Sequence, residues 1–174
     1  VIALPGSQFD LAGASAIVQN FGPIVGFGWS IIEQPIWSNG GTLTITGSMA
    51  SALGTSGEFQ AAYFDGTVDA AGGAPQASGG TLTIGGLNGS NPLYGAIVIS
   101  QGGDVTAALS SQTVPTTAAQ LAAQLPTASS TVEIGENTLN NSGLDSVSLM
   151  AGTIGFSGNV SVKVPDQLVL AGNL

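Results

Sequence analysis

The sequence predicts an all-β fold, a β-solenoid of short stacked strands, on three observations. The first is an internal repeat. Gly40-Gly41-Thr42-Leu43-Thr44-Ile45 recurs letter for letter, 39 residues on, as Gly79-Gly80-Thr81-Leu82-Thr83-Ile84. Solenoid repeats run to about 20–45 residues. The second is the source of polarity. Only 6% of residues are charged, whereas the chain carries 27 Gly, 19 Ser, 15 Thr and 9 Asn. β-branched Thr favours strands, and Gly and Asn favour turns. The third is the C-terminal part, where short alternating or continuous apolar runs follow one another with turn residues at each junction. Strands this short and closely spaced leave no room for helical crossovers.

Along the chain, Phe9-Asp10-Leu11-Ala12-Gly13 and Val68-Asp69-Ala70-Ala71-Gly72 share one plan, apolar-Asp-apolar-Ala-Gly, and each precedes a Gly-Gly-Thr strand. Residues 14–39 intervene in the first copy and only 73–78 in the second, so 14–39 reads as an insertion. In the repeated strand a period of two puts Leu43 and Ile45 on one face and Thr42, Thr44 and Thr46 on the other. Residues 49–64 and 110–130 read as further insertions. Within the last, one short helix is predicted near 116–125: Thr117 caps it with Gln120 three residues on, and Ala118, Leu121, Ala122 and Leu125 keep helical spacing. Strands follow over 131–134, 146–150, 153–156, 159–164 and 167–170, divided by Asn140-Asn141-Ser142-Gly143, Ala151-Gly152, Ser157-Gly158 and Pro165-Asp166. The whole of 1–174 is expected to form a single solenoid segment.

The missing residues exclude whole classes of chemistry. Without His there is no His general base, triad or His metal ligand, and without Cys no thiol nucleophile, disulfide or Cys-bound zinc. With Lys163 as the sole cation against ten acids, phosphate neutralisation is unavailable, so no nucleic-acid partner is expected. The run Leu11–Ile32 carries no charge and is long enough to span a bilayer, but Pro23 and four Gly interrupt it, and no membrane insertion is expected. The chain opens on Val without the basic and apolar regions of a leader, and is expected to be a mature segment or a piece of something longer.

Two blocks carry a family resemblance. Gly66-Thr67-Val68-Asp69-Ala70-Ala71-Gly72-Gly73-Ala74 followed by Gly79–Ile84 resembles the filamentous-haemagglutinin-like large adhesins. So does Ser142-Gly143-Leu144-Asp145-Ser146-Val147-Ser148-Leu149 followed by Ile154–Val162. Gram-negative bacteria secrete these proteins by the two-partner pathway. The matching stretches are Gly66–Ile84 and Thr131–Leu174. The resemblance implies a right-handed parallel β-helix, an outer-surface location, adhesion to a glycan or protein on a cell surface or in a matrix, and an outer-membrane transporter for the parent protein. It implies no catalytic residue and no cofactor. The stretch Phe21–Trp37 matches nothing in that family.

That stretch holds the best candidate binding residues, Phe27, Trp29 and Trp37. Both Trp residues of the chain lie here. They either present aromatics to a sugar or protein partner or form a flap over the side or end of the solenoid. Glu33, its one charge, is expected at an exposed rim. Asp65 and Asp69 invite a paired-carboxylate reading, but four positions along one strand span about 13 Å, too far for acid chemistry on a glycosidic bond, and a turn role suits Asp69 better. Glu133, Glu136, Asn137, Asn140, Asn141 and Asp145 form the densest oxygen-ligand cluster, yet their spacing fits no calcium loop, and no metal site is expected.

Overall fold

The computed structural model describes residues 2–3, 7–24, 28–46, 63–64, 66–88, 91–92, 94–102 and 131–173. Among these the chain is mostly β-strand with a single short helix and one curled parallel sheet. The repeat explains the sheet. β5 (Thr42–Ile45) lies parallel to β8 (Gly80–Gly85), pairing Thr42 with Thr81, Leu43 with Leu82, Thr44 with Thr83 and Ile45 with Ile84. The identical letters are therefore neighbours in space. The second echo behaves alike: β2 (Gln8–Asp10) pairs with β7 (Thr67–Asp69), placing Phe9 on Val68 and Asp10 on Asp69.

The strands form three rows. The first is β5, β8, the start of β13 (Leu144–Ser157) and β14 (Gln167–Asn173). The second runs β1 (Ile2–Ala3), β6 (Tyr63–Phe64), β12 (Thr131–Gly135), β11 (Ala96–Ser100) and the end of β13. β13 belongs to both rows, and its register with β14 shifts between Met150 and Thr153, where the sheet curls. The third row begins with β2 and β7 and continues through the bond from Ala70 N–H to Ser142 O. Two small antiparallel pairs complete the strands: β3 (Ser15–Ile24) with β4 (Gly28–Trp37), and β9 (Leu87–Asn88) with β10 (Asn91–Pro92).

One core lies between the rows. Leu82, Ile84, Ile97, Ile99, Ile134 and Leu149 are fully buried, while residues that alternate with them, among them Thr81, Thr83, Val98, Glu133 and Ser148, are half-buried. Burying each Leu or Ile contributes about 1.5–3 kcal/mol. Burial is lower on β14. Leu168 on β14 is 41% exposed, although its register partner Val147 is 1% exposed.

Four features depart from the sequence reading. The described helix is α1 (Glu136–Asn140), which no pattern announced; the helix expected near 116–125 lies outside the described residues. α1 takes the place of a strand in the third row. The expected strand over 159–164 has no backbone ladder. Side chains of α1 hold it instead: Glu136 accepts from Ser161 N–H, and the Asn140 amide donates to Ser161 O and accepts from Lys163 N–H, each at 2.8 Å. A side-chain amide there does the work of a neighbouring peptide. Finally, β12 lies between β6 and β11, although it follows both in sequence. Residues 63–64, expected inside an insertion, pair with β1 and β12 as part of the sheet.

Candidate functional site

The insertion expected over 14–39 is built around the β3–β4 hairpin, which leaves the stack through a narrow neck. Ala14 N–H donates to Ser38 Oγ, Ser38 N–H donates to Ala14 O, and Ser38 O accepts from Gly73 N–H. A Cβ on Gly13 would stand 2.2 Å from Ser38 O, so only glycine permits this closure. Beyond the neck, ten residues of each strand pair from Ser15 with Trp37 to Ile24 with Gly28. Among the described residues the hairpin is a sheet of its own, with no ladder to the stack.

Its sequence explains why it stands clear. In the stack one apolar column of each strand is covered, as Leu82 and Ile84 are in β8 and Ile97 and Ile99 in β11. The hairpin carries Ile17-Val18 and Ile31-Ile32 in succession, so both faces are apolar. Ile17 is 67% exposed, and Val18, Ile31, Ile32 and Ile36 are exposed as well. Polar side chains gather at mid-length. Gln19 Nε2 donates to Glu33 Oε1 at 3.5 Å, and Asn20 Nδ2 donates to Gln34 Oε1 at 3.0 Å. Glu33 is exposed, at a central rung rather than a rim.

Of the sequence candidates, Trp37 sits beside the neck opposite Ser15 and is 43% exposed. Trp29 pairs through its backbone with Pro23 near the far end. Eight residues of strand, about 26 Å, separate the two positions. Phe27 lies outside the described residues. The structure thus spreads Trp29 and Trp37 along a ribbon, with Gln19, Asn20, Glu33 and Gln34 between them. Sequence reasoning passed over these central amides; paired polar residues amid an uncharged apolar run were the available signal.

The carboxylates elsewhere serve the backbone. Asp10 and Asp69 each accept the N–H two residues on, from Ala12 and Ala71, so both end a strand with the same turn; Asp65 lies outside the described residues. Asp145 accepts from Gly79 N–H at 2.6 Å, while Glu136 and Asn140 hold the segment above them. Among the described residues no group of three acidic side chains is placed to share a cation. Burial pushes the Glu133 carboxyl and the Tyr94 phenol above their ordinary values. Among those residues, too, no helix is long and apolar enough to cross a membrane. No family model, no curated protein and no solved structure matches the chain.

Proposed function

We propose that this chain is a rod segment of a secreted bacterial surface adhesin, similar to the filamentous-haemagglutinin-like proteins, whose coils continue as a right-handed parallel β-helix. The three rows, crossed in turn by successive passes of the chain, support the solenoid reading. The observation that carries the adhesive reading is the β3–β4 hairpin, which displays apolar side chains and a belt of amides away from the stack. Proteins rarely leave such surface exposed unless something binds it.

The mechanism is mechanical. The stack holds the ribbon away from the cell, and the ribbon engages a glycan or protein through Trp37, the position of Trp29, and the amides between them. No catalytic step is assigned. A single Lys and no Arg leave a lyase without the cation that stabilises its developing anion. The location is the outer cell surface, and the parent protein reaches it through an outer-membrane transporter.

A glycan array and a cell-binding assay, each run with the native chain and the Trp29→Ala/Trp37→Ala variant, test this reading. Native binding that falls at least tenfold in the variant supports it. Unchanged binding removes the aromatic positions from the site. Absence of binding to every glycan and cell surface leaves a passive stalk of a larger surface protein.

A further inference from the structure

We infer that the Asn39–Gly40 bond is a covalent modification site: the folded corner holds it unreactive, and once the corner opens it converts to an isoaspartyl link that the corner cannot take back.

The two residues supply the chemistry. Asn39 carries a side-chain amide, and Gly40 has no Cβ to keep that amide from its backbone nitrogen. Gly40 N gives up its proton to solvent base and attacks Asn39 Cγ. The bond that forms is N–Cγ, the bond that breaks is Cγ–Nδ2, and ammonia leaves with a proton returned by solvent. Water then opens the five-membered imide at either carbonyl. Attack on Cγ leaves aspartate. Attack on the backbone carbonyl carbon leaves isoaspartate, whose main chain runs through Cγ. Water is the only co-reactant.

Folding ties both partners of that ring closure to one residue. Gly40 N–H donates to Ser78 O at 2.9 Å, and Ser78 N–H donates to Asn39 Oδ1 at 3.1 Å. The proton that has to leave is the one Ser78 O holds, and the amide that has to turn onto the nitrogen is fixed through its oxygen. The neighbours on either side are fixed as well. Ser38 O accepts from Gly73 N–H at 3.0 Å, Gly41 N–H donates to Leu11 O at 2.7 Å, and Gly41 O accepts from Thr81 N–H at 3.0 Å. Asn39 is exposed, so water reaches the imide as soon as it forms.

The corner accepts one product and rejects the other. Aspartate keeps the length of the chain and an oxygen for Ser78 N–H. Isoaspartate adds one main-chain bond, about 1.5 Å, between residues that are pinned on both sides. The site has no slack: a Cβ built on Gly40 would run into Ala70 O and stand 2.6 Å from Gly80 N, and one on Gly41 would lie 3.3 Å from Leu11 Cβ. The longer link therefore displaces Ser38 or Gly41 from its partners. Ser38 closes the neck of the β3–β4 hairpin, so the lesion falls where the hairpin joins the stack.

The full chain, incubated at mildly alkaline pH either folded or in concentrated guanidinium chloride, tests this. Peptide mapping by mass spectrometry reads the gain of one mass unit at Asn39, and isoaspartyl methyltransferase labels the isomer. Conversion in the folded chain is expected to be at least tenfold slower. The slowing should match the hydrogen-exchange protection of the Gly40 amide within about threefold, because both reactions need the same local opening. After removal of denaturant, the isoaspartyl chain should fail to regain protection at the Gly40, Gly41 and Thr81 amides, while the Asn39→Asp variant regains it. Equal rates folded and unfolded, a folded rate faster than exchange at Gly40 allows, or native protection in the refolded isoaspartyl chain would overturn the inference.

Discussion

The stack and the hairpin are built from the same kinds of residue and end in opposite environments. Thr-Leu-Thr-Ile at β8 buries Leu82 and Ile84 completely, whereas Ser-Ile-Ile in β4 leaves Ile31 and Ile32 open. Strand propensity does not separate them. In the stack, the buried column of one strand, such as Leu82 and Ile84 in β8, lies beside the same column in its parallel neighbours β5 and β13. In the hairpin, apolar residues are consecutive and each strand has one partner. Burial follows from columns across strands, a property no single strand possesses.

The largest test of this difference is truncation. Leu82→Ala should cost about 3 kcal/mol and lower Tm by roughly 10 °C, while Ile31→Ala stays within about 0.5 kcal/mol; calorimetry of the two variants reads both. Equal losses would mean that the hairpin is packed after all. Glycine corners sharpen the contrast within the stack itself. Gly143 has φ +67°, and a Cβ there would lie 2.6 Å from Ala71 N; Gly102 has φ +83° and nothing within 4 Å. Gly102→Ala should cost about 1–2 kcal/mol, the left-handed penalty alone, and Gly143→Ala distinctly more, measured by urea unfolding.

A smaller effect is expected at the last rung. Asn140→Ala removes two hydrogen bonds to the 161–163 backbone and should cost about 1–2 kcal/mol. Hydrogen exchange should show the Lys163 amide losing protection while the β8 amides keep theirs. The smallest effect is a pH dependence. Burial raises the Glu133 carboxyl, so folding favours its protonated form. Its favourable contribution is complete below the ordinary carboxylate range and is lost as pH rises through the raised value. Glu133→Gln should therefore be the more stable chain at neutral pH, and acidification should close the gap in Tm.

How much of this was legible follows from where each signal resides. The repeat at 40–45 and 79–84 announced short stacked strands and their apolar face, because stacking copies a pattern that sequence also copies; their register came only with the structure. The β3–β4 hairpin falls within a stretch that the sequence marked as an interruption between two echoes. α1 was not visible: Glu136-Asn137-Thr138-Leu139-Asn140 has one apolar residue, and Gly135 caps it without a side-chain bond. The helix exists because it fills a strand's place in the third row, burying Leu139 and feeding Glu136 and Asn140 to the next pass. The position of β12 was equally hidden, since Thr131–Gly135 carries nothing that distinguishes a place above β11 from one below it. Trp29 and Trp37 were read as one group, and both lie on β4, where their distance apart depends on a strand length that local residues do not mark.

The order β6–β12–β11 has a consequence for a molecule under tension. A regular stack pulled by its C-terminus unzips, each strand peeling from a single neighbour. Here β14 and β13 can leave in that way, but β12 sits between two strands that precede it in the chain. To withdraw it, a pulling force must shear five register pairs with β11 and two with β6 together. The out-of-order strand is a mechanical catch: it divides the thread into a part that yields readily and a part that holds.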